Sequence, residues 1–465
     1  MAATDAVTLE NWFPQTSSVW LRRGYDTHVT SIPARTETLM NYAGLTTERL
    51  FAVATNGNLY NVTTAGAVGA ADLTGLTNAR WQYVNFAATS GQYLFAVNGA
   101  DTMIRYDGTT WTTVSLTGVT SSTLIHVNVH KDRLWFVQVN TLSAWYLGVD
   151  AISGTATEFP LNGVAKLGGS LMAIATWTID AGYGVDDLLV FITTQGEVIV
   201  YRVVFPDDPS TIQLVGVWHI GAPVGRRCFL KYAGDLLLIT SDGVGQMSGI
   251  LQSSRTNPRV YLTDKIQFTT SQSITSYGSN YGWQLVHFEN ENQLYLNVPI
   301  QNGSNQQQYV MNSITGAWSN FRGWEANCWE IHNDRLYFGA ATSVNQAWSG
   351  LDDNGSNIEA FALQAFNDFG NPKNKKRFIK MKPAIFTNGT PTLYGEINPD
   401  FDTTDTTAPL SFSAIGYGVW DNGTWDAAVW GADLISQQNW QAVTGIGYYG
   451  APAFKADTMG VNIQW

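Results

Sequence analysis

Seven copies of one short pattern, a leucine set in a run of bulky aliphatic and aromatic residues, restrict what this chain can fold into. They read Arg49-Leu-Phe-Ala-Val, Tyr93-Leu-Phe-Ala-Val, Arg133-Leu-Trp-Phe-Val, Asp187-Leu-Leu-Val-Phe, Asp235-Leu-Leu-Leu-Ile, Gln293-Leu-Tyr-Leu-Asn and Arg335-Leu-Tyr-Phe-Gly. The anchor leucines are Leu50, Leu94, Leu134, Leu188, Leu236, Leu294 and Leu336, spaced by 44, 40, 54, 48, 58 and 42 residues. An apolar partner segment precedes several anchors, as in His126-Val-Asn-Val-His, Cys228-Phe-Leu-Lys-Tyr, Leu285-Val-His-Phe and Cys328-Trp-Glu-Ile-His. The residues between partner and anchor are Lys-Asp, Ala-Gly, Glu-Asn-Glu-Asn and Asn-Asp, which are hairpin-turn residues. A third strand follows many anchors, for example Thr194-Gln-Gly-Glu-Val-Ile-Val-Tyr, and a fourth element carries Gly and Trp, as in Asp107-Gly-Thr-Thr-Trp111.

Three or four strands recurring every ~40–50 residues is the period of a propeller blade. One blade leaves an apolar face open, so blades must stack in a ring. The pattern predicts an all-β protein, a β-propeller of six, seven or eight blades. The two long gaps hold either insertions or a divergent blade. A string of β-sandwiches or an irregular β-solenoid is the competing arrangement.

Composition agrees with strands. Charged residues make up 13% of the 465, against roughly 25% in ordinary soluble domains, while 18 Trp, 20 Tyr and 21 Phe are present. Few charges, many aromatics and many turn residues suit short half-buried strands. The net charge of −12 argues against a protein that reads DNA sequence, which needs a basic face. It is compatible with a protein that DNA slides past. Cys228 and Cys328 lie in apolar strand-like stretches and read as buried free thiols. The N-terminus lacks the charged head and apolar core of a signal peptide. The longest apolar stretch, at 171–177, is far short of the ~20 residues that span a bilayer, so no membrane insertion is expected.

The repeat stops near Asp353. The expected division is an extended arm at 1–35, the propeller at 36–355, and a C-terminal β-rich, sandwich-like domain at 356–465 that makes assembly contacts. In that last part Lys373, Lys375, Lys376, Arg377, Lys380 and Lys382 crowd into ten positions, on an exposed or interfacial strand face. Trp420, Trp425 and Trp430 recur at a spacing of five, which suits a loop-borne aromatic cluster better than a straight strand. Exposed Trp anchors interfaces, and buried Trp fills the space under a long loop. These nine residues are the candidate interface.

Catalytic sets are not visible. A glycosidase propeller needs converging carboxylates, and Asp101, Asp187, Glu197, Glu289, Glu325 and Glu330 stand at differing offsets from the anchors. His126 and His130 are four apart, about 13 Å along a strand, too far to share a metal. His130, His287 and His332 lie at hairpin ends, where a ring of histidines facing a channel competes with ordinary half-wet strand ends. No phosphate loop or nucleophile motif occurs. We therefore assign no catalytic residue, cofactor or metal.

The opening Asn11-Trp-Phe-Pro-Gln-Thr with Leu21-Arg-Arg-Gly-Tyr, the aromatic hairpins, and the ending Trp440-Gln-Ala-Val-Thr-Gly-Ile-Gly-Tyr-Tyr-Gly resemble tail proteins of short-tailed bacteriophages. The likeness is to the nozzle family, also called packaged-DNA stabilisation or tail accessory proteins. The Trp-Asp and Val-Trp pairs at 420–430 and the passage from Lys376-Arg-Phe to Asn398-Pro-Asp-Phe-Asp add to it. It is diffuse and spans nearly the whole chain. The resemblance implies a virion protein made in the host cytoplasm and placed in the tail. It implies a homo-hexamer docked under a head-to-tail adaptor protein, with tail fibres or spikes and a tail plug or needle as further partners. Double-stranded DNA would pass through it non-specifically, retained until infection. The other reading is a lectin-like, carbohydrate-binding propeller using its Trp-rich loops.

Overall fold

A computed structural model describes residues 5–180, 185–252, 261–411 and 434–465. All seven anchor leucines sit on the second strand of successive antiparallel sheets, and each is at most 4% exposed. Burying one such side chain contributes about 1.5–3 kcal/mol. Blade 1 is Thr36–Ala43, Glu48–Ala54, Asn58–Asn61 and Ala71–Leu73. Blade 2 is Gln82–Ala88, Gly91–Val97, Ile104–Tyr106 and Trp111–Thr113. Blade 3 is Leu124–His130, Arg133–Gln138, Ser143–Tyr146 and Thr157–Pro160. Blade 4 is Leu171–Asp180, Val185–Thr193, Glu197–Val203 and Ile212–His219. Blade 5 is Phe229–Tyr232, Asp235–Thr240 and Gly243–Gln246, and blade 6 begins with Gln284–Phe288 and Gln293–Gln301. Blade 7 is Cys328–His332, Arg335–Gly339 and Val344–Ala347, with the early strand Tyr25–Thr30 added as its fourth.

The molecule is a β-propeller with seven blades among the described residues. Consecutive blades touch in order through their first strands, except that Leu171–Asp180 of blade 4 meets the second strand of blade 5, Asp235–Thr240, and the first strand of blade 7 packs on that of blade 1. Apolar clusters seal the joints. Leu50, Ala52 and Tyr60 of blade 1 pack with Cys328 and Tyr337 of blade 7, and Phe95 and Val97 of blade 2 with Val127 and Phe136 of blade 3. Among the described residues the long gaps hold no extra blade. Between Leu236 and Leu294 stand the helices Met247–Gln252 and Gln267–Tyr277. Between Leu134 and Leu188 the chain makes a loop and then the longest hairpin of the ring.

The turns follow their residues. Lys131–Asp132, Ala233–Gly234 and Asn333–Asp334 all have positive φ at both positions, the geometry whose twist matches a two-residue hairpin. Cys228 and Cys328 are fully buried free thiols, and burial pushes both up to about 12.

The chain separates into two compact units. One is Thr27–Gln306 with Glu325–Asn345, the propeller, and the other combines Met1–Asp26, Gln307–Trp324 and Gln346–Trp465. This differs from the linear division at 35 and 355. The N-terminal segment is no separate arm, because Ala6–Glu10 pairs antiparallel with Ile358–Gln364. That strand continues onto Gly450–Thr458 and then Leu393–Pro399. A second sheet orders Trp12–Pro14, Val19–Leu21, Ile463–Gln464, Ile385–Thr387 and Ile435–Gln437. Alternate residues Ile358, Ala360 and Ala362 of the first sheet share one core with Trp12, Leu21, Ile385 and Ile463 of the second, which makes a sandwich.

The Asn11 and Leu21-Arg-Arg-Gly segments build one buried joint in this unit. Arg22 is 1% exposed and pairs in fork geometry with both Asp353 oxygens, at 2.7 and 2.6 Å. Its Nε donates to Asn11 Oδ1, a second terminal nitrogen bond reaches the Arg322 carbonyl, and its guanidinium covers the Trp324 ring at 4.9 Å. Gly24 follows because a Cβ there would stand 1.5 Å from the Asp352 carbonyl oxygen.

Candidate functional site

In a propeller the first strand of each blade runs in the same direction along the axis, so the residues that enter these strands meet at one mouth. Arg35 and Glu37 open the first strand of blade 1, Arg80 precedes that of blade 2, Arg226 and Arg227 precede that of blade 5, and Tyr281 precedes that of blade 6. They line one cavity of about 560 Å³, together with Asn78, Asn98 and Asn280. Among the described residues, four guanidiniums thus face a single lining carboxylate.

That carboxylate is already engaged. Glu37 is buried and accepts from Arg35 Nη2 at 2.5 Å and Arg80 Nε at 3.0 Å. Tyr281 sets the positions of two cations, with Arg80 at 4.5 Å and Arg227 at 5.6 Å from its ring centre, and its hydroxyl donates to the Glu37 carbonyl. Arg227 donates to neutral acceptors only: Gln284 Oε1, Thr38 Oγ1 and the carbonyls of Glu37 and Trp81. It therefore ties four blades together across the axis. Arg226 donates to the Asn98 carbonyl at 3.1 Å. Burial, and then the charge of Arg80, push its guanidinium down from the usual value, against the opposing effect of Tyr281.

Deeper on the axis, Tyr83 donates to Glu330 Oε2 at 2.6 Å. Burial pushes the Glu330 carboxyl up to about 7, against the opposing pull of Tyr83, the Ile331 amide and Arg227. Gln284 joins the inner strands of blades 6 and 7, donating to the Trp329 carbonyl and accepting from its amide.

The carboxylates noted in the sequence do not converge. Asp101 caps Thr77 and holds the Asn98 side chain. Asp187 bonds Thr178 and stands 3.8 Å from Lys131. Glu197 is fully buried and accepts from the amides of Lys166 and Leu167, pinning the loop before blade 4. Glu289 is exposed beside His287, and Glu325 caps the Gln306 amide. Only Glu330 reaches the axis. The histidines serve joints between blades: His332 bonds Asn41 of blade 1, His130 stands 3.4 Å from Thr176 of blade 4, and His287 packs edge-on to Tyr232 of blade 5. Burial pushes His126 and His130 down to about 4. Among the described residues no group of three or more His, Cys, Asp or Glu is placed to hold a metal.

The basic stretch lies in the other unit. Lys376–Met381 pairs with Gln441–Gly447, with a bulge between Phe378 and Lys380. Lys373, Lys375, Arg377, Lys380 and Lys382 are exposed. Lys376 is instead tied down, donating to the carbonyls of Asn371, Asn374 and Tyr448, and Lys375 lies over the Tyr448 ring. Large apolar side chains stand exposed among them: Ile379 at 61%, Ile446 at 63% and Trp440 at 67%. Trp420, Trp425 and Trp430 lie outside the described residues.

The axial arginines escaped the sequence reading. Their only signal is an arginine just ahead of a partner strand, and Arg35, Arg80 and Arg227 stand at unequal distances from Leu50, Leu94 and Leu236 because hairpin lengths differ.

No family model and no curated protein matches the chain. Similar solved structures include BBS1N in complex with ARL6DN, at 12% identity over 71% of this chain and 97% of that one, TM-score 0.44. The WD40 β-propeller domain of Doa1 is 8% identical over 70% and 96%, TM-score 0.43, and the Myceliophteria thermophila Cps50 (Swd1) β-propeller domain is 13% identical over 70% and 99%, TM-score 0.43. At these scores the likeness adds nothing to the propeller read from the strand order, and it carries no information on function.

Proposed function

We propose that this chain is a non-catalytic structural subunit, a tail-nozzle protein of a short-tailed phage, that assembles through its sandwich unit into a homo-hexamer beneath a head-to-tail adaptor. The observation that carries the assembly part is the ladder Lys376–Met381 with Gln441–Gly447. There Ile379 and Ile446 are more than half exposed beside Arg377 and Lys380. Apolar side chains ringed by cations on a strand pair are costly in water and useful in an interface. The basic segment sits in a chain of net charge −12, so an acidic face of a second copy is its natural complement. The phage assignment rests on the resemblance of the opening, hairpin and closing segments. The acidic balance supports a wall along which DNA moves without sticking.

The deciding measurement is native mass by light scattering, with negative-stain imaging, alone and with a portal–adaptor complex. A ring of about six copies that caps the adaptor is expected from the family resemblance. A stable monomer indifferent to the adaptor overturns the reading and directs attention to glycan binding.

A further inference from the structure

The axial cavity has no part in that assembly reading, and it is unusual within this protein. An acidic chain gathers four guanidiniums from three blades around one volume, while the only lining carboxylate among the described residues is spent on Arg35 and Arg80. Arg226 and Arg227 are half-buried, and among the described residues neither has a carboxylate within ion-pair distance. Burial opposes the charge of Arg227, yet its surroundings, Tyr281 first and Glu330 among the others, hold that guanidinium above the usual value, so the uncompensated cation is Arg226. A partly desolvated cation without a counter-charge, such as Arg226, is costly, and a bound anion removes that cost. The low-dielectric walls of the ring also strengthen the attraction.

We propose that this mouth of the propeller is a binding site for a small multivalent phosphate anion, with Arg226 as its principal ligand and Arg80 and Arg227 assisting. Guanidinium forks match phosphate oxygens in charge and geometry, and Asn78, Asn98 and Asn280 also line the cavity. A cavity of about 560 Å³ suits an anion of pyrophosphate or nucleoside-phosphate size. The packing of Arg80 and Arg227 on Tyr281 holds two of the cations in place before the anion arrives, which lowers the ordering cost of binding.

The test uses the full chain and pyrophosphate at low ionic strength, read by calorimetric titration and by the thermal midpoint. Pyrophosphate is expected to bind and to raise the midpoint beyond the effect of sodium chloride at matched ionic strength. R226Q removes a charged ligand that has no ion-pair partner to strand. It is expected to fold, to melt no lower than the native chain without ligand, and to lose about 10- to 100-fold in affinity. R226K is expected to retain part of the binding. A matched shift from chloride alone, or equal pyrophosphate affinity in R226Q, overturns the site. A duplex oligonucleotide in competition separates the sources of phosphate. Displacement of pyrophosphate assigns the site to a nucleic-acid backbone, and no displacement assigns it to a free anion.

Discussion

At the scale of single residues, two buried ionisable groups stand in opposite situations. Arg22 is matched: Asp353, Asn11 and two carbonyls satisfy its guanidinium, and Trp324 covers it. Arg22→Ala strands Asp353 and is expected to cost about 3–5 kcal/mol, measured by chemical denaturation. A loss under about 1 kcal/mol would show the pair to be dispensable. Among the described residues Glu330 has no ion-pair partner within reach, and burial outweighs its bonds from Tyr83 and the Ile331 amide, so it keeps its proton to about pH 7, while an unfolded glutamate ionises near 4.5. Between those values the folded chain binds more protons than the unfolded one, so the Glu330 contribution falls as pH rises through that window. Glu330→Gln has no such slope. Its stability relative to the native chain should rise from pH 4.5 to 7, by about 3 kcal/mol at most, and a difference independent of pH contradicts this. Cys228 and Cys328 should resist a thiol reagent until the chain unfolds, because both are buried and hold their protons. Rapid labelling of the native protein would reveal an opening that the structure does not show.

Among elements, the hairpin is the unit that the sequence spells out. Lys-Asp, Ala-Gly and Asn-Asp each form a two-residue turn with positive φ, and the strands on either side pair in register from the turn outward. Ala233 holds a φ of 47° against its Cβ and lacks the short polar side chain that lets Asn and Asp tolerate that region. Ala233→Gly is therefore expected to stabilise the propeller by about 0.5–1 kcal/mol, seen as a higher thermal midpoint. An unchanged or lower midpoint would mean that the unfolded-state entropy of glycine offsets the relief. The basic segment illustrates the limit of pattern reading. The alternation Lys376-Arg-Phe-Ile-Lys-Met-Lys suggests one charged face, yet a bulge between Phe378 and Lys380 leaves both Ile379 and Lys380 exposed. The extra residue lies on the partner strand, where Gly445 to Ala442 spans three steps against two from Phe378 to Lys380, so nothing in the basic segment itself announces it.

On the scale of the whole molecule, the assembly reading turns on Ile379 and Ile446. Changing both to Asp leaves the sandwich core untouched, since that core is built from residues such as Trp12, Ile358, Ile385 and Phe454. The doubly substituted chain should stay folded and lose higher-order assembly, with native mass falling to one copy. An unchanged ring would remove this ladder from the interface. Deletion of 360–465 is a blunter probe, because Ala6–Glu10 then loses its antiparallel partner in Ile358–Gln364 and the sandwich core is opened.

Taken alone, the sequence determined the all-β class, the seven hairpin anchors, the turn positions and the buried state of both cysteines. Each depends on residues a few positions apart: strand period, turn chemistry and apolar run length are local quantities. Only the tertiary structure decided the blade count of seven, the use of Tyr25–Thr30 as the last strand of blade 7, and the draw of the second unit on three stretches of chain. It alone brought Arg35, Arg80, Arg226 and Arg227 to one cavity, and Arg22 to Asp353 across 331 positions. Those meetings depend on how a closed ring and a two-layer sandwich bring remote strand ends together. The spacing of residues along the chain carries no record of that geometry.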